Sequence, residues 1–416
     1  MATSGVSRGY HSLWNNDMVA AYGAAGNGVC WRMMEKPRVL HVITGLSTGG
    51  AERALYNVLA GGLAARYESA VVSLRDTGTF GVLIQSLGVP VHALHMRRGA
   101  PTPGVIGRLW RLVRELRPDV IQGWMYHGNL VASVTARMMP GRPAVVWNIR
   151  QSLYSLVAEK PMTRQVIRAD RLISGGADAI IYNSHLSRTQ HESFGFRGSQ
   201  STVIPNGFDL ERLQPDPGTG ALVRKELGLP ADAVVIGHVA RFHPMKDHPS
   251  FLRAAVRVVR ENPLARFLLV GREVFPSHPA LAGIVPPELM AQFVFIGERS
   301  DVHRLMHAID VFCLSSLSEA FPNVLGEAMA SGVPCVTTDV GDCADIVGDT
   351  GIVVAASDSE ALAEALQTMI RKSSQERQLL GQAARERVKR HYGLGFVVGR
   401  YTDIYQQLLT RERNAY

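Results

Sequence analysis

The sequence predicts an α/β protein built from two successive doubly wound domains with parallel sheets. Three observations carry this. Short runs that are apolar on every residue alternate with helical patterns. The alternation stops once, at a stretch rich in Pro and Gly, and then restarts. No repeat of 20–50 residues accompanies it. Strands buried on both faces and spaced by helices belong to a parallel sheet with helices on either side. Such sheets bind ligands in the crevice at the carboxyl ends of their strands.

In chain order the first series is "RVLHVIT" (38–44), a helical "AERALYNVLAGGL" (51–63), "SAVVSL" (69–74) and "VHAL" (91–94). A helical "GVIGRLWRLVREL" (104–116) follows, then "DVIQGW" (119–124), "AVVWNI" (144–149), "AIIY" (179–182) and "STVIP" (201–205). "PNGFDLERLQPDPGTG" (205–220) reads as a linker. The second series is "AVVIGHVA" (233–240), "ARFLLVG" (265–271), "QFVFIG" (292–297), "DVFCLSS" (310–316), "PCVTT" (334–338) and "GIVVA" (351–355). Residues 374–411 read as two helices broken near Gly393–Gly395. In the last one Phe396, Val397, Tyr401, Ile404, Tyr405 and Leu408 recur at three- and four-residue steps and form one apolar stripe. Residues 1–36 show no periodicity and read as a disordered extension.

Composition excludes more than it selects. Hydrophobic residues make up 46% and charged residues 19% of 416, so the chain can bury large cores. No apolar stretch approaches the ~18 residues that span a bilayer. The four cysteines show neither C-x-x-C pairing nor metal spacing, which fits a reduced, cytoplasmic protein. The net charge of +8 favours acidic partners without naming one. The basic residues are not interleaved with aromatics on a nucleic-acid-binding module, so no nucleic acid is expected.

The stretch "SEAFPNVLGEAMASGVPCVTTDVGD" (318–342) carries the chemistry. Pro322 suits a first helical position and Gly332 the left-handed residue after a last turn, giving a helix over 322–331. Its N-terminus, at the cleft, favours an anion. Glu319 precedes the helix and Glu327 lies a turn and a half inside it. A carboxylate can accept from both hydroxyls of a sugar diol. Arg241 and Lys246 follow a strand in "VARFHPMKDH" and can offset charge on a leaving diphosphate. Taken singly, each of these is an ordinary surface charge.

Five segments in order resemble the family 4, or group 1, glycosyltransferases: "HVITGLSTGGAERAL" (41–55), "VIPNGFDLERL" (203–213), "VARFHPMKDH" (239–248), "FIGERSDVHRLMHAIDVFCLSS" (295–316) and the two-glutamate stretch. The resemblance covers about 37–410 and implies the GT-B fold, two Rossmann-like domains facing across a cleft. By position it implies that Glu327 holds the ribose hydroxyls of a nucleotide and Glu319 the donor sugar. It places Arg241, Lys246 and the helix start, with Phe321, Pro322 and Asn323, around the diphosphate. It brings the Gly49–Gly50 backbone close to the donor phosphate and puts His127 beside the sugar ring. Family members often carry further histidines at the positions of Gln122 and Trp124, and this chain does not.

The implied activity is retaining transfer of a sugar from a UDP-, GDP- or ADP-type donor to a glycan or lipid-linked acceptor, in cell-surface polysaccharide or lipopolysaccharide synthesis. No two aspartates stand two apart, as a D-x-D metal motif would need, so no cofactor or metal is expected. The resemblance also carries the terminal helix back onto the first domain, which then comprises 37–205 plus 395–416, with 206–394 as the nucleotide-binding domain. Arg108, Arg111, Arg114 and Arg117, beside Trp110, give 104–117 a basic face suited to peripheral contact with an anionic membrane, here the inner face of the cell membrane. Two alternatives are weaker. A GT-B epimerase of sugar nucleotides would need an additional acid/base set. A catalytically dead sugar-nucleotide-binding scaffold would have lost Glu319, Arg241 or Lys246.

Overall fold

A computed structural model describes residues 36–47, 49–96 and 103–413; the expected extension over 1–36 lies almost wholly outside them. Seven parallel strands form the first sheet: β1 (Arg38–Ile43), β2 (Glu68–Ser73), β3 (Val91–Ala93), β4 (Val120–Trp124), β5 (Ala144–Ile149), β6 (Ala179–Tyr182) and β7 (Ser201–Val203). Their order is β3-β2-β1-β4-β5-β6-β7. Six parallel strands form the second: β8 (Val234–Val239), β9 (Ala265–Val270), β10 (Phe293–Phe295), β11 (Val311–Leu314), β12 (Cys335–Thr338) and β13 (Gly351–Val354), in the order β10-β9-β8-β11-β12-β13. The order reverses between β1 and β4 and between β8 and β11. These are the switch points where crevices open at the strand ends. Each sheet is covered by apolar clusters on both faces.

The Leu394–Arg413 helix lies on the first sheet. Val397, Val398, Tyr401, Ile404, Tyr405 and Leu408 are all at most 4% exposed, in one cluster with β1 and the Gly50–Val58 helix. Phe396 is 42% exposed and falls outside the expected stripe; Val398 takes its place. The docking also explains why the regular part of the expected 51–63 helix stops at Val58. Leu59–Leu63 is a π-turn with Gly62 at φ +115°, and Gly61 faces Leu394 and Val398 so closely that a Cβ would crowd both. A glycine pair read as helix is the seat of the terminal helix.

Two boundaries differ from expectation for local reasons, and a third agrees with it. The linker over 205–220 ends early, because Asp216 caps a Pro217–Glu226 helix by accepting from Thr219 N at 3.0 Å. The helix expected over 322–331 is Asn323–Ala330, with Pro322 at the N-cap and Gly332 left-handed at φ +75° as expected. The last two helices meet at Gly393, as the Gly393–Gly395 break implies.

Candidate active site

The second sheet supplies a charged cluster. β8 and β11 are neighbours, so the loops leaving their carboxyl ends adjoin. The β8 loop brings Lys246 and the β11 loop Glu319. Lys246 Nζ donates to Glu319 Oε1, and Ser316 Oγ donates to the same oxygen at 2.6 Å. The two charged side chains are 25% and 11% exposed.

A second layer holds this pair in place. Ser315 Oγ lies 2.9 Å from Lys246 O and 3.3 Å from Asp247 O, and His238 Nε2 lies 3.1 Å from Ser315 Oγ. A hydroxyl has one proton, so when Ser315 gives it to the loop carbonyls His238 must donate from Nε2. Burial holds His238 well below the usual histidine range, which keeps the ring neutral. Asp247 is left-handed at φ +45° and caps the His248–Glu261 helix through Ser250 N at 3.2 Å. The Lys246–Asp247 turn is therefore a strained one, pinned from below. Gly341, at φ +57°, lies against Glu319 O and leaves no room for a Cβ. Arg241 is exposed and makes no ion pair among the described residues.

The first sheet presents a different face. Gly49 and Gly50 start the Gly50–Val58 helix; a Cβ on Gly49 would strike the Glu52 carboxylate, whereas the space beside Gly50 is open. His127 stands in the first turn of the Met125–Arg137 helix after β4. Burial lowers its pKa, so it is neutral at pH 7. That helix starts with Met125 left-handed at φ +62°, and Gly128 lies so close to Val42 O that a side chain would not fit. Gln122 and Trp124, where the family has histidines, do not face the cleft. Tyr405 OH donates to Gln122 Oε1, and Trp124 donates to His41 Nδ1 at 3.2 Å and stacks on Tyr401. They bind the terminal helix.

Several side-chain contacts cross between the halves. Glu327 Oε1 meets Arg53 Nη1 at 3.0 Å. Tyr154 OH donates to Glu319 O at 3.0 Å. Arg150 Nε donates to Asn206 Oδ1 at 2.9 Å, and Asn206 Nδ2 donates on to Asn323 Oδ1 at 2.6 Å. The Asp342 carboxylate accepts from His185 N at 2.9 Å and Leu186 N at 3.3 Å, capping the His185–Phe194 helix from the opposite half. Asp342 also stands with His185 and Asp345 in the one trio of potential metal ligands among the described residues, but both its oxygens already serve those amides.

Sequence reasoning put Glu319 and Lys246 at one cleft in separate roles, and in the structure the two side chains form an ion pair. Glu327 lies in the middle of the Asn323–Ala330 helix that follows Glu319, 19% exposed. Phe321 differs from expectation: it is buried between Phe208 and Tyr392, so its ring serves the core. Gly326 is needed there because the Phe208 ring fills the space of a Cβ. Arg53, Tyr154, Ser315, His238 and Asp342 were missed. Only Arg53 carried a signal, its place in "GGAER" beside the glycines.

Two sequence families account for most of the chain. Residues 48–212 match Glycosyltransferase Family 4, and residues 233–372 match Glycosyl transferases group 1. The chain belongs to the family 4, group 1 glycosyltransferases. Among curated relatives, "Putative glycosyltransferase EpsF" of Bacillus subtilis is 27% identical over 319 residues, 73% of this chain and 79% of that one. The UDP-Gal:alpha-D-GlcNAc-diphosphoundecaprenol alpha-1,3-galactosyltransferase of Escherichia coli is 33% identical over 141 residues, 33% of this chain and 36% of that protein. Among solved structures, Anabaena Alr3699/HepE in complex with UDP superposes with a TM-score of 0.76 at 23% identity, covering 89% of this chain and all of that one. The fold is GT-B. In this glycosyltransferase the charged groups described above stand on loops and helices of two Rossmann-like sheets.

Proposed function

We propose that the protein is a retaining, metal-independent glycosyltransferase that moves a sugar from a nucleoside-diphosphate sugar to a glycan or lipid-linked acceptor. The observation that carries this is the spacing of two differently dressed carboxylates along one short helix. Glu319, at its start, is locked by Lys246 and Ser316. Glu327, inside it, faces the opposite half. A sugar nucleotide laid along the helix meets Glu319 with its sugar and Glu327 with its ribose, with Lys246, Arg241 and the helix amides at the diphosphate. Gly50, with open space beside it, lets the first lobe's backbone approach the phosphates.

In this reading Lys246 and Arg241 stabilise charge that grows on the diphosphate as the glycosidic bond breaks, the role Mg²⁺ plays elsewhere. The acceptor attacks from the face the leaving group departs, and the departing phosphate oxygen takes its proton. Glu319 positions the donor and forms no covalent bond. Neutral His127 offers a hydrogen bond at the sugar. The resemblance to an undecaprenol-linked galactosyltransferase supports a lipid-linked acceptor and a pathway of cell-surface glycans at the inner membrane face.

The Pro103–Leu116 helix supports peripheral membrane contact. It buries Val105, Leu109 and Val113 and presents Arg111 and Arg114, the latter over the Trp110 ring at 4.5 Å. No helix among the described residues is long and apolar enough to cross a membrane.

The test is incubation with UDP-, GDP- and ADP-sugars and a lipid-linked acceptor, reading nucleoside-diphosphate release and the anomeric configuration of the product. Transfer with retention that survives a chelator is expected. Inversion or strict metal dependence would overturn the mechanism, and no turnover with any donor the activity.

A further inference from the structure

Glu327, the residue assigned to the ribose, has its carboxylate taken by a side chain from the other half of the molecule. Arg53 stands in the first turn of the Gly50–Val58 helix, and its Nη1 lies 3.0 Å from Glu327 Oε1. The pair is lopsided: the guanidinium is 53% exposed and the carboxylate 19%. The cavity beside it, lined by Gly50, Asn57, Asn206 and Asn323 with the two charged groups, measures about 20 Å³. That is room for about one water molecule. The guanidinium occupies one of the two carboxylate oxygens that a ribose diol would use.

We infer that Arg53 is a gate on the ribose half of the donor site, a competitor that the sugar hydroxyls of a nucleoside diphosphate must displace from Glu327. The inference rests on the assignment of Glu327 to the ribose. Its physical content is an exchange. The carboxylate gives up one charge-assisted contact to the guanidinium and gains two from a vicinal diol. A ligand without a ribose has nothing to offer in return and no reason to enter. The exchange also couples the halves, because the contact that is broken is one of those that join them.

The sign of the effect separates this role from its rivals. A cation in a diphosphate site ordinarily strengthens nucleotide binding, and its removal weakens it. Removal of a competitor does the reverse. Arg53 is half-exposed, so Arg53→Met, which keeps the apolar stem, leaves the fold intact, and a thermal melt verifies that.

The experiment is calorimetric titration of UDP, GDP, ADP and pyrophosphate into the full-length wild type, Arg53→Met, Arg53→Lys and Glu327→Gln. For the nucleotide that binds the wild type best, Arg53→Met should bind about twofold to fivefold more tightly, the strength of a half-exposed ion pair. Arg53→Lys should stay near the wild type. Pyrophosphate, which lacks the ribose, should bind wild type and Arg53→Met equally. The gain should shrink as salt rises, because the pair is screened. If Glu327→Gln weakens the nucleotide while Arg53→Met leaves it equal or weaker, the gate is overturned and the donor site stands. If Arg53→Met weakens pyrophosphate, Arg53 is a phosphate ligand and the gate is again overturned. If no nucleotide binds the wild type, the donor reading falls and the gate with it.

Discussion

The two lobes share a strand order but hold their polar groups in opposite ways. At the carboxyl end of the second sheet the groups bind one another: His238 to Ser315, Ser315 to the Lys246 turn, Lys246 and Ser316 to Glu319. At the corresponding end of the first sheet they reach outward, Arg53 to Glu327 and Tyr154 to Glu319 O. The first lobe's own polar network lies deeper, where Asn148 and Arg150 bind Tyr401 and Gln122 binds Tyr405, all on the terminal helix. One lobe is built to fix charge in place before chemistry, which is what electrostatic stabilisation requires. The other meets it through side chains that reach across, and depends on a helix from the far end of the chain.

The most severe way to break the comparison is to remove that helix. Truncation after Tyr392 strips six side chains, each at most 4% exposed, from the first lobe's core. At about 1.5–3 kcal/mol for each buried side chain the loss is comparable to the whole stability of a domain. Hydrogen exchange should show protection lost across β1–β7 and largely kept across β8–β13. Equal loss in both sheets would show that the lobes do not differ in this way.

The next test compares one residue from each side. Lys246→Ala should lower kcat by about 10²–10³-fold, as loss of a group that meets transition-state charge does, with a smaller change in donor affinity. His127→Ala removes a neutral hydrogen-bonding group and should cost roughly twofold to tenfold. Steady-state kinetics of both variants decides. A His127→Ala enzyme as damaged as Lys246→Ala would place essential chemistry on the first lobe.

Much of this was legible in the sequence, and the limits have physical causes. Strands buried on both faces announce themselves as apolar runs, so both sheets could be read. Glu319 and Lys246 could each be put near the cleft because each follows a strand, but their ion pair needed the adjacency of the two strands, which the structure supplies. Phe321 was misjudged because an aromatic in a strand-to-helix loop looks the same whether it faces a ligand or Phe208. Val398 for Phe396 is an error of helical phase by a few tens of degrees. Arg53 with Glu327, and Asp342 with His185, lie 274 and 157 residues apart in sequence. Nothing local in either partner signals such a contact.

Acid should separate the lobes as well. Four histidines are buried and held low: His238 well below its usual range and His248 at about 4 in the second lobe, His41 at about 3 and His191 at about 4 in the first. An unfolded histidine takes a proton near 6.5 and these do not. Each therefore contributes stability that is complete above pH ~6.5 and falls by about 1.4 kcal/mol per unit as pH drops towards its folded value. In the first lobe Asp170 opposes this. Burial raises its carboxyl to about 9, so the folded state keeps a proton that the unfolded chain releases above about 4. Its contribution grows as pH falls through that window and cancels one histidine. His243, His303 and His307 in the second lobe and His127 in the first are also held low, while Asp342 in the second lobe and Glu52 in the first are held high. Between pH 6 and 4.5 the second lobe should therefore lose stability more steeply than the first. Urea melts followed by lobe-resolved hydrogen exchange would show it; parallel slopes would count against the assignment of Asp170 as a proton holder.

The finest test is of the pin beneath the Lys246 turn. Ser315 is 1% exposed, and its hydroxyl serves two carbonyls and a neutral histidine at once. Ser315→Ala removes the bond and leaves buried partners unsatisfied, about 1–3 kcal/mol of local cost against a cavity of one oxygen atom. Asp247 sits left-handed in the same turn, so the turn has a reason to relax once released. Relaxation moves Lys246 away from Glu319, and the expected result is a fall in kcat of roughly threefold to tenfold with donor affinity little changed. A drop in melting temperature alone would describe a stability role and nothing more. The double variant removes that ambiguity. If the serine acts through Lys246, then Ser315→Ala made in a Lys246→Ala background should lower kcat no further, because there is no cation left to misplace. Additive losses in kcat would mean that the serine serves the site by some other route, and the preorganised half of the cleft would have to be redrawn without it.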